Sequence, residues 1–218
     1  MWKQVFETDT SDKSYEEDAE LTGFGLVPVK AEGDAISYDA ETQGYVKRYT
    51  NVTYGMGYIV TREALDDGQY EQVSKRRSTA LAFSAQTTKE TVHANILNRA
   101  FNASFTGGDG SALCVSNHST ASGSQSNVLS TAADLSEASL EDLCVQIMNT
   151  TNSRGLRIAI TPKKLIVPPA VYFDARRILE SELQNDTANN AKNIVGDMFG
   201  DGLLCWTFLT DTDAWFIQ

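Results

Sequence analysis

Residues 81–98 read Leu81-Ala82-Phe83-Ser84-Ala85-Gln86-Thr87-Thr88-Lys89-Glu90-Thr91-Val92-His93-Ala94-Asn95-Ile96-Leu97-Asn98, and how this stretch folds decides the rest. Leu81, Ala85, Thr88, Val92, Ile96 and Ala100 recur three or four apart, the period of one helical face. Lys75, Arg76, Arg77, Lys89 and Glu90 fall off that stripe, on what is expected to be the wet side. Upstream, Val60-Thr61-Arg62-Glu63 supplies a start: the Thr61 hydroxyl can cap the first amides, and Glu63 puts a negative charge in the first turn. The spacing predicts a helix from Thr61 to about Asn102, broken near Asp67-Gly68. About 35 helical residues would span about 50 Å, which predicts an elongated molecule.

Before this helix, Glu7 to Asp18 is polar and acidic, and Leu21-Thr22-Gly23-Phe24-Gly25-Leu26-Val27-Pro28 favours extended or turning backbone. This opening reads as an arm. Ala35-Ile36-Ser37-Tyr38 and Tyr45-Val46-Lys47-Arg48-Tyr49 flank the polar residues 39–44, the pattern of a hairpin with a long loop, and the second strand is expected to run on to Val60. Tyr38, Tyr45, Tyr49, Tyr54 and Tyr58 make the ribbon aromatic, yet two strands bury too little surface to cover them. The ribbon therefore needs a partner surface, on its own domain or on a neighbouring molecule.

After the helix, Thr106-Gly107-Gly108-Asp109-Gly110 ends the pattern, and residues 116–130 form a Ser/Asn/Gly-rich loop. Asp134-Leu135-Ser136-Glu137 resembles a capping box, opening a helix with the stripe Leu140, Leu143, Cys144, Ile147 and Met148. Two β-rich runs follow, Arg157–Ile160 and Lys164–Val167, closed by Pro168-Pro169. A second helix is expected over Ala170–Leu183, with Val171, Ala175, Ile178, Leu179 and Leu183 inward. A loop is expected over 185–201, then a buried strand over Leu203–Leu209 and a short aromatic ending. The second half reads as a compact α/β domain.

Composition narrows the function. Of 218 residues, 41% are hydrophobic and 22% charged, enough for a sizeable core. Lys plus Arg number 18 against 29 Asp plus Glu, a formal net charge of −11, so the average surface repels phosphate and sequence-specific DNA binding is disfavoured. Cys114, Cys144 and Cys205 stand beside apolar residues without Cys-x-x-Cys spacing, which predicts buried free thiols in a reducing compartment. No window matches a membrane span or a signal peptide.

Site chemistry is thin. His93 and His118 are the two imidazoles, too few for a zinc site without distant convergence, and no metal or cofactor is expected. A hydrolase could recruit His118, Asp109 and Ser116, but Gly-x-Ser-x-Gly is absent and a Gly-rich loop is a poor platform for a triad. Residues 107–110 have the glycines of a phosphate loop without its Lys-Ser/Thr pair. Asp211-Thr212-Asp213 would make a weak cation site and is equally explained as a turn.

The order of these segments resembles the major capsid proteins of tailed phages and prophages, in the Mu-like major head subunit group. The residues carrying the resemblance are Val60-Thr61-Arg62-Glu63 with Asp67 and Tyr70, Asn98-Arg99-Ala100-Phe101, Gly108-Asp109-Gly110 with Leu113, and His118 with Ser126-Asn127. Further on come Ala133-Asp134-Leu135-Ser136-Glu137-Ala138, Arg154-Gly155-Leu156, Pro162-Lys163-Lys164-Leu165 with Val167-Pro168, and Leu209-Thr210-Asp211-Thr212-Asp213-Ala214-Trp215-Phe216. Each piece is short; their number and collinear order make the set specific.

The resemblance implies an α+β, Hong Kong 97-like capsid fold: a remnant of an N-terminal arm (1–20), an extended β-hairpin loop (21–60), a peripheral domain with a spine helix (61–115), an α/β axial domain (116–210), and the start of a return to the peripheral domain (211–218), apparently cut short. It implies a structural protein and no enzyme, without cofactors, made in a bacterial host cytoplasm and located in a virion head. Its partners would be copies of itself in hexamers and pentamers, with a scaffolding protein, a maturation protease and a portal, around double-stranded DNA bound without sequence preference and without a membrane. Tyr38, Tyr45, Tyr49, Tyr54 and Tyr58 become candidates for contact between subunits. An encapsulin-like compartment shares the implied fold; a decoration or scaffolding protein and a small hydrolase using His118 are the readings from other classes.

Overall fold

The computed structural model describes residues 1–68, 70–183 and 191–218, and the chain divides into two compact units. The first comprises residues 1–16 and 49–97, and the second residues 17–48 and 98–218.

The first unit is organised by the expected helix. Thr61 caps α1 (Arg62–Asp66), its hydroxyl accepting the Ala64 N–H. The chain breaks at Gly68, whose φ of 70° is the left-handed conformation that glycine takes at low cost, and resumes as α2 (Tyr70–Asn98). The break falls where Asp67-Gly68 placed it, although the helix ends four residues early.

The stripe is only partly right. Leu81, Thr88 and Val92 are half-buried and Ala100 is buried, but Ala85 and Ile96 are exposed, and the most buried positions of α2 are Ala94 and Glu90. Glu90, expected on the wet face, is covered because its charge is met. One carboxylate oxygen takes the Met1 ammonium at 2.8 Å and the other the Trp2 amide at 3.1 Å. A short 3₁₀ turn, Trp2–Gln4, carries this contact and stacks the Trp2 ring on His93 at 4.1 Å. The first residues of the chain thus pack on α2, and the polar reading holds from Glu7 onward.

β1 (Tyr15–Leu21) pairs with β2 (Gln43–Thr50); residues 17–21 and 43–48 of the pair belong to the second unit. Thr22 N–H donates to Thr42 O at 3.1 Å and Arg48 Nε to Glu17 at 2.6 Å, so the strands run antiparallel. This corrects the expected hairpin: residues 35–38 form no strand, and β2 stops at Thr50 instead of reaching Val60. Part of the acidic opening expected as an arm is thus a strand: a ribbon wet on both faces tolerates charge and uses it across the pair, as Glu17–Arg48 does. Gly44 gives the Glu20 side chain its place across the ribbon: a Cβ would lie 2.6 Å from the Glu20 carboxylate and push that side chain aside.

The core lies farther along the chain. The box at Ser136 opens α3 (Glu137–Met148), with Ser139 rather than an acidic side chain completing it. Leu140 and Cys144 from α3 meet β5 (Leu165–Val167), Ala175 of α4 (Tyr172–Glu180), and Val195 and Phe199 in and after the 3₁₀ turn Val195–Met198. Central β5 is parallel to β6 (Leu203–Cys205) and antiparallel to β7 (Phe216–Ile217). A strand buried on both faces is expected to be uniformly apolar, as Leu165-Ile166-Val167 is. Gly196 is a packing requirement: a Cβ there would sit 2.2 Å from the Leu179 carbonyl.

Several expectations over-extended. Arg157–Ile160 forms no strand beyond a bridge from Arg157 to Thr151, and Ile158 and Ile160 are exposed, because no neighbouring strand offers them a ladder. The second helix is a 3₁₀ turn (Pro169–Val171) followed by α4, and Leu183 is exposed. The Leu203 strand ends at Cys205, although Trp206 and Leu209 remain buried as expected. Of the loop expected over 185–201, residues 185–190 lie outside the described residues. A short hairpin, β3 (His118–Thr120) with β4 (Gly123–Gln125), stands in the stretch read as an unstructured polar loop. The three cysteines are free; Cys144 is buried, while Cys114 and Cys205 are only half-buried. No described helix is long and apolar enough to cross a membrane.

Candidate subunit-contact surfaces

The five singled-out tyrosines fall in both units. In the second unit, residues 21–40 leave the ribbon as a loop pinned at its base. Thr22 is buried and exchanges hydrogen bonds with Thr42: hydroxyl to hydroxyl at 2.9 Å, and Thr42 N–H to the Thr22 hydroxyl at 3.2 Å. Asp39 Oδ2 accepts from the Gly25 N–H at 2.8 Å and the Arg154 guanidinium at 2.6 Å, while Oδ1 accepts the Ala40 N–H. These bonds, led by the Gly25 amide, hold the Asp39 carboxyl below its ordinary pKa. Arg154 thereby ties the loop to the body of its unit.

Beyond the pinned base the loop is bare. Leu26, Val27 and Ile36 are exposed, Val29 is 100% exposed and Tyr38 94%. A turn at Ala31–Asp34, with Gly33 at φ 86°, forms the tip. The second tyrosine of this unit behaves differently. On β2, Tyr45 and Lys47 lie over Gly108, where an added Cβ would come 3.2 Å from the Tyr45 Cβ. Lys47 Nζ donates to the Thr106 carbonyl at 2.6 Å. The Gly-rich turn thus seats the ribbon, and Tyr45 is partly spent within its own subunit.

In the first unit, Tyr49 and Tyr54 are exposed, as are Val52, Met56 and Ile59 around them. Tyr58 reaches α2, its hydroxyl 3.2 Å from the Ser74 Oγ, and the Arg77 guanidinium donates to the Ile59 carbonyl. Residues 51–60 contain no charged side chain, which makes this exposed run unusual for a protein surface.

The second unit also carries a half-open cavity of about 770 Å³. Phe101, Leu143, Ile147, Trp215 and Phe216 supply apolar wall, and Asp134, Asp211 and Asp213 line it as well. Phe101 stacks on Phe216 at 6.0 Å, and the Trp215 indole donates to the Ala133 carbonyl. The last two carboxylates belong to one turn: the Asp213 N–H reaches Asp211 Oδ1 at 3.4 Å. Their side chains are hydrogen-bonded to each other, which lowers the Asp211 pKa and raises that of Asp213; Asp134 adds to the latter rise.

His118 lines the same cavity. Its Nδ1 lies 2.7 Å from Asp109 Oδ2, and Asp109 Oδ1 accepts the Ser111 N–H. Burial would raise the Asp109 carboxyl, but the His118 and Ser111 hydrogen bonds outweigh it and hold the group below its ordinary pKa. This is the base-and-orienter half of a triad. The nucleophile is missing among the described residues: His118 Nε2 is buried without a hydrogen-bond partner, and Ser116 is exposed. Cys114 also lines the cavity, but burial pushes its thiol up to about 11, away from the thiolate a nucleophile needs. No described group of His, Cys, Asp and Glu residues is arranged to hold a metal.

Sequence reasoning missed Asp39, Arg154 and Gly108 as the fasteners of the loop. Arg154 and Gly108 stood among the motif residues, but nothing in their spacing indicated a partner more than fifty residues away.

A family model described as phage capsid protein matches residues 44–218. Among solved structures, the capsid of bacteriophage JBD30 decorated with minor capsid protein trimers is similar at a TM-score of 0.71 and 14% identity, covering 96% of this chain and 90% of that one. No curated protein matches.

Proposed function

Because the chain belongs to the phage capsid protein family, we propose that it builds its shell in the Hong Kong 97 manner, with residues 21–60 as an extended loop laid on a neighbouring subunit, residues 61–115 as a peripheral domain around the spine helix α2, and residues 116–210 as the axial domain. It is a structural protein of a phage head. The observation that carries the loop assignment is the bare run beyond the Asp39–Arg154 fastener. Apolar side chains this exposed, on a base this firmly tied, are what a chain leaves open for a partner that arrives in every copy of an assembly.

In this reading Tyr38, Tyr49 and Tyr54 are docking anchors, while Tyr45 and Tyr58 set the shape of the ribbon on their own subunit. Aromatic anchors of this kind dominate interface energetics, and modest interfaces summed over a closed shell suffice for assembly. Hexamers and pentamers around packaged DNA follow from the same reading, as do a scaffold, a protease and a portal. The net negative charge suits a lining that does not grip the DNA it encloses. The hydrolase alternative loses support from the partnerless Nε2 of His118.

Sedimentation of the purified chain tests the proposal. Particles of many subunits are expected from the wild type, and a several-fold smaller assembled fraction from Tyr38→Ala with Tyr54→Ala. Assembly of the double variant indistinguishable from wild type would contradict the docking role.

A further inference from the structure

The cavity of the second unit and the bare loop of the same unit have complementary chemistry. The cavity joins an apolar wall to a carboxylate group, Asp134, Asp211 and Asp213, that no described cation pairs with. Its volume lies within the roughly 300–1,000 Å³ of sites that take small ligands or short peptide segments. The loop presents Leu26-Val27-Pro28-Val29-Lys30: four apolar residues, all exposed, ending on the one cation between residues 21 and 42. Lys30 forms no described ion pair; its ammonium reaches the Ala31 carbonyl at 3.4 Å.

We propose that this cavity receives residues Leu26–Lys30 of a second copy of the chain, the aliphatic run against Phe101, Leu143, Ile147 and Trp215, and the Lys30 ammonium at the carboxylates of Asp211 and Asp213. The inference rests on the shell-forming role above and adds the receiving site. The Lys30 ammonium places an opposite charge beside Asp211 and Asp213, which share one turn. The fasteners at Thr22, Gly25 and Asp39 fix where the loop leaves its own subunit, so less order is lost on docking.

Cys114 in the cavity wall makes the test direct. Val29→Cys is oxidised in assembled particles, and the disulfides are mapped by non-reducing electrophoresis and peptide mass. A bridge from residue 29 to Cys114 of another chain is expected, because docking places residue 29 in the cavity that Cys114 lines, and a disulfide reports Cα atoms within roughly 7 Å of each other. A bridge within one chain, or none in particles that do form, overturns the proposal and leaves the assembly role standing. Failure of the wild type to assemble overturns the assembly role instead, and the proposal with it. If Val29→Cys does not fold, charge reversal decides. Lys30→Glu should raise the concentration needed for assembly roughly ten-fold, and Lys30→Glu with Asp213→Lys should restore it; a double variant no better than the single one overturns the proposal.

Discussion

Two regions of the second unit both carry runs of apolar residues and treat them in opposite ways. Around β5, Leu140, Leu165, Val167, Val195 and Trp206 are all fully buried. Between Leu21 and Tyr38, Leu26, Val27, Val29 and Ile36 lie open to solvent. The difference is not hydrophobicity but what flanks it. The core residues sit on elements with partners: a capped helix, a central strand paired on both sides, and a second helix. The loop residues are interspersed with Gly23, Gly25, Pro28 and Gly33, which deny them a ladder or a helical face. In the proposed docking role, these apolar side chains without an internal partner are surface held for an external one.

Substitutions should separate the two regions by what they damage. Trp206→Ala removes the largest fully buried side chain and should cost about 3–5 kcal/mol, read as a lower urea midpoint. Gly196→Ala drives a methyl into the Leu179 carbonyl and should cost about 1–3 kcal/mol through a forced backbone shift. Asp109→Asn weakens the bonds to His118 and the Ser111 amide and should cost about 1–2 kcal/mol at neutral pH.

The last effect has a sign in pH. Asp109 has a lowered pKa in the folded state, so its contribution is complete above the unfolded carboxylate value, near ~4, and is lost as pH falls through the folded value. Wild type and Asp109→Asn should therefore converge in stability toward acid, as followed by urea unfolding over a pH series. Ser136→Ala, losing the cap of α3, should cost about 1 kcal/mol. At the bottom of the series, Tyr38→Ala should leave stability within about 0.5 kcal/mol while reducing assembly. A large stability loss from Tyr38→Ala would erase the distinction between the regions.

What was legible in the sequence follows the same division. The capped helices, the apolar strand Leu165–Val167 and the break at Gly68 were readable because each rests on local signals: a hydroxyl before a helix, an unbroken aliphatic run, a glycine in a polar pair. Strand pairing was not. The partner of β2 is the acidic run 15–21 and not residues 35–38, because pairing was settled by cross-strand contacts such as Glu17–Arg48 and Thr22–Thr42, which no local pattern encodes. The buried Glu90 was hidden for the same reason: its partners lie almost ninety residues away. Of the five candidate tyrosines, the sequence marked them as aromatics in want of cover; it could not divide them, since that depends on Gly108 admitting Tyr45 and Ser74 meeting Tyr58.

Amide hydrogen exchange over residues 21–40, compared between assembled particles and the dissociated chain, tests the central claim most directly. The account predicts fast exchange from Leu26 to Ile36 in the dissociated chain and strong protection of the same amides in particles, with the β5 core equally protected in both. Equally fast exchange of the loop in intact particles would show that no neighbour covers it, and would contradict the account.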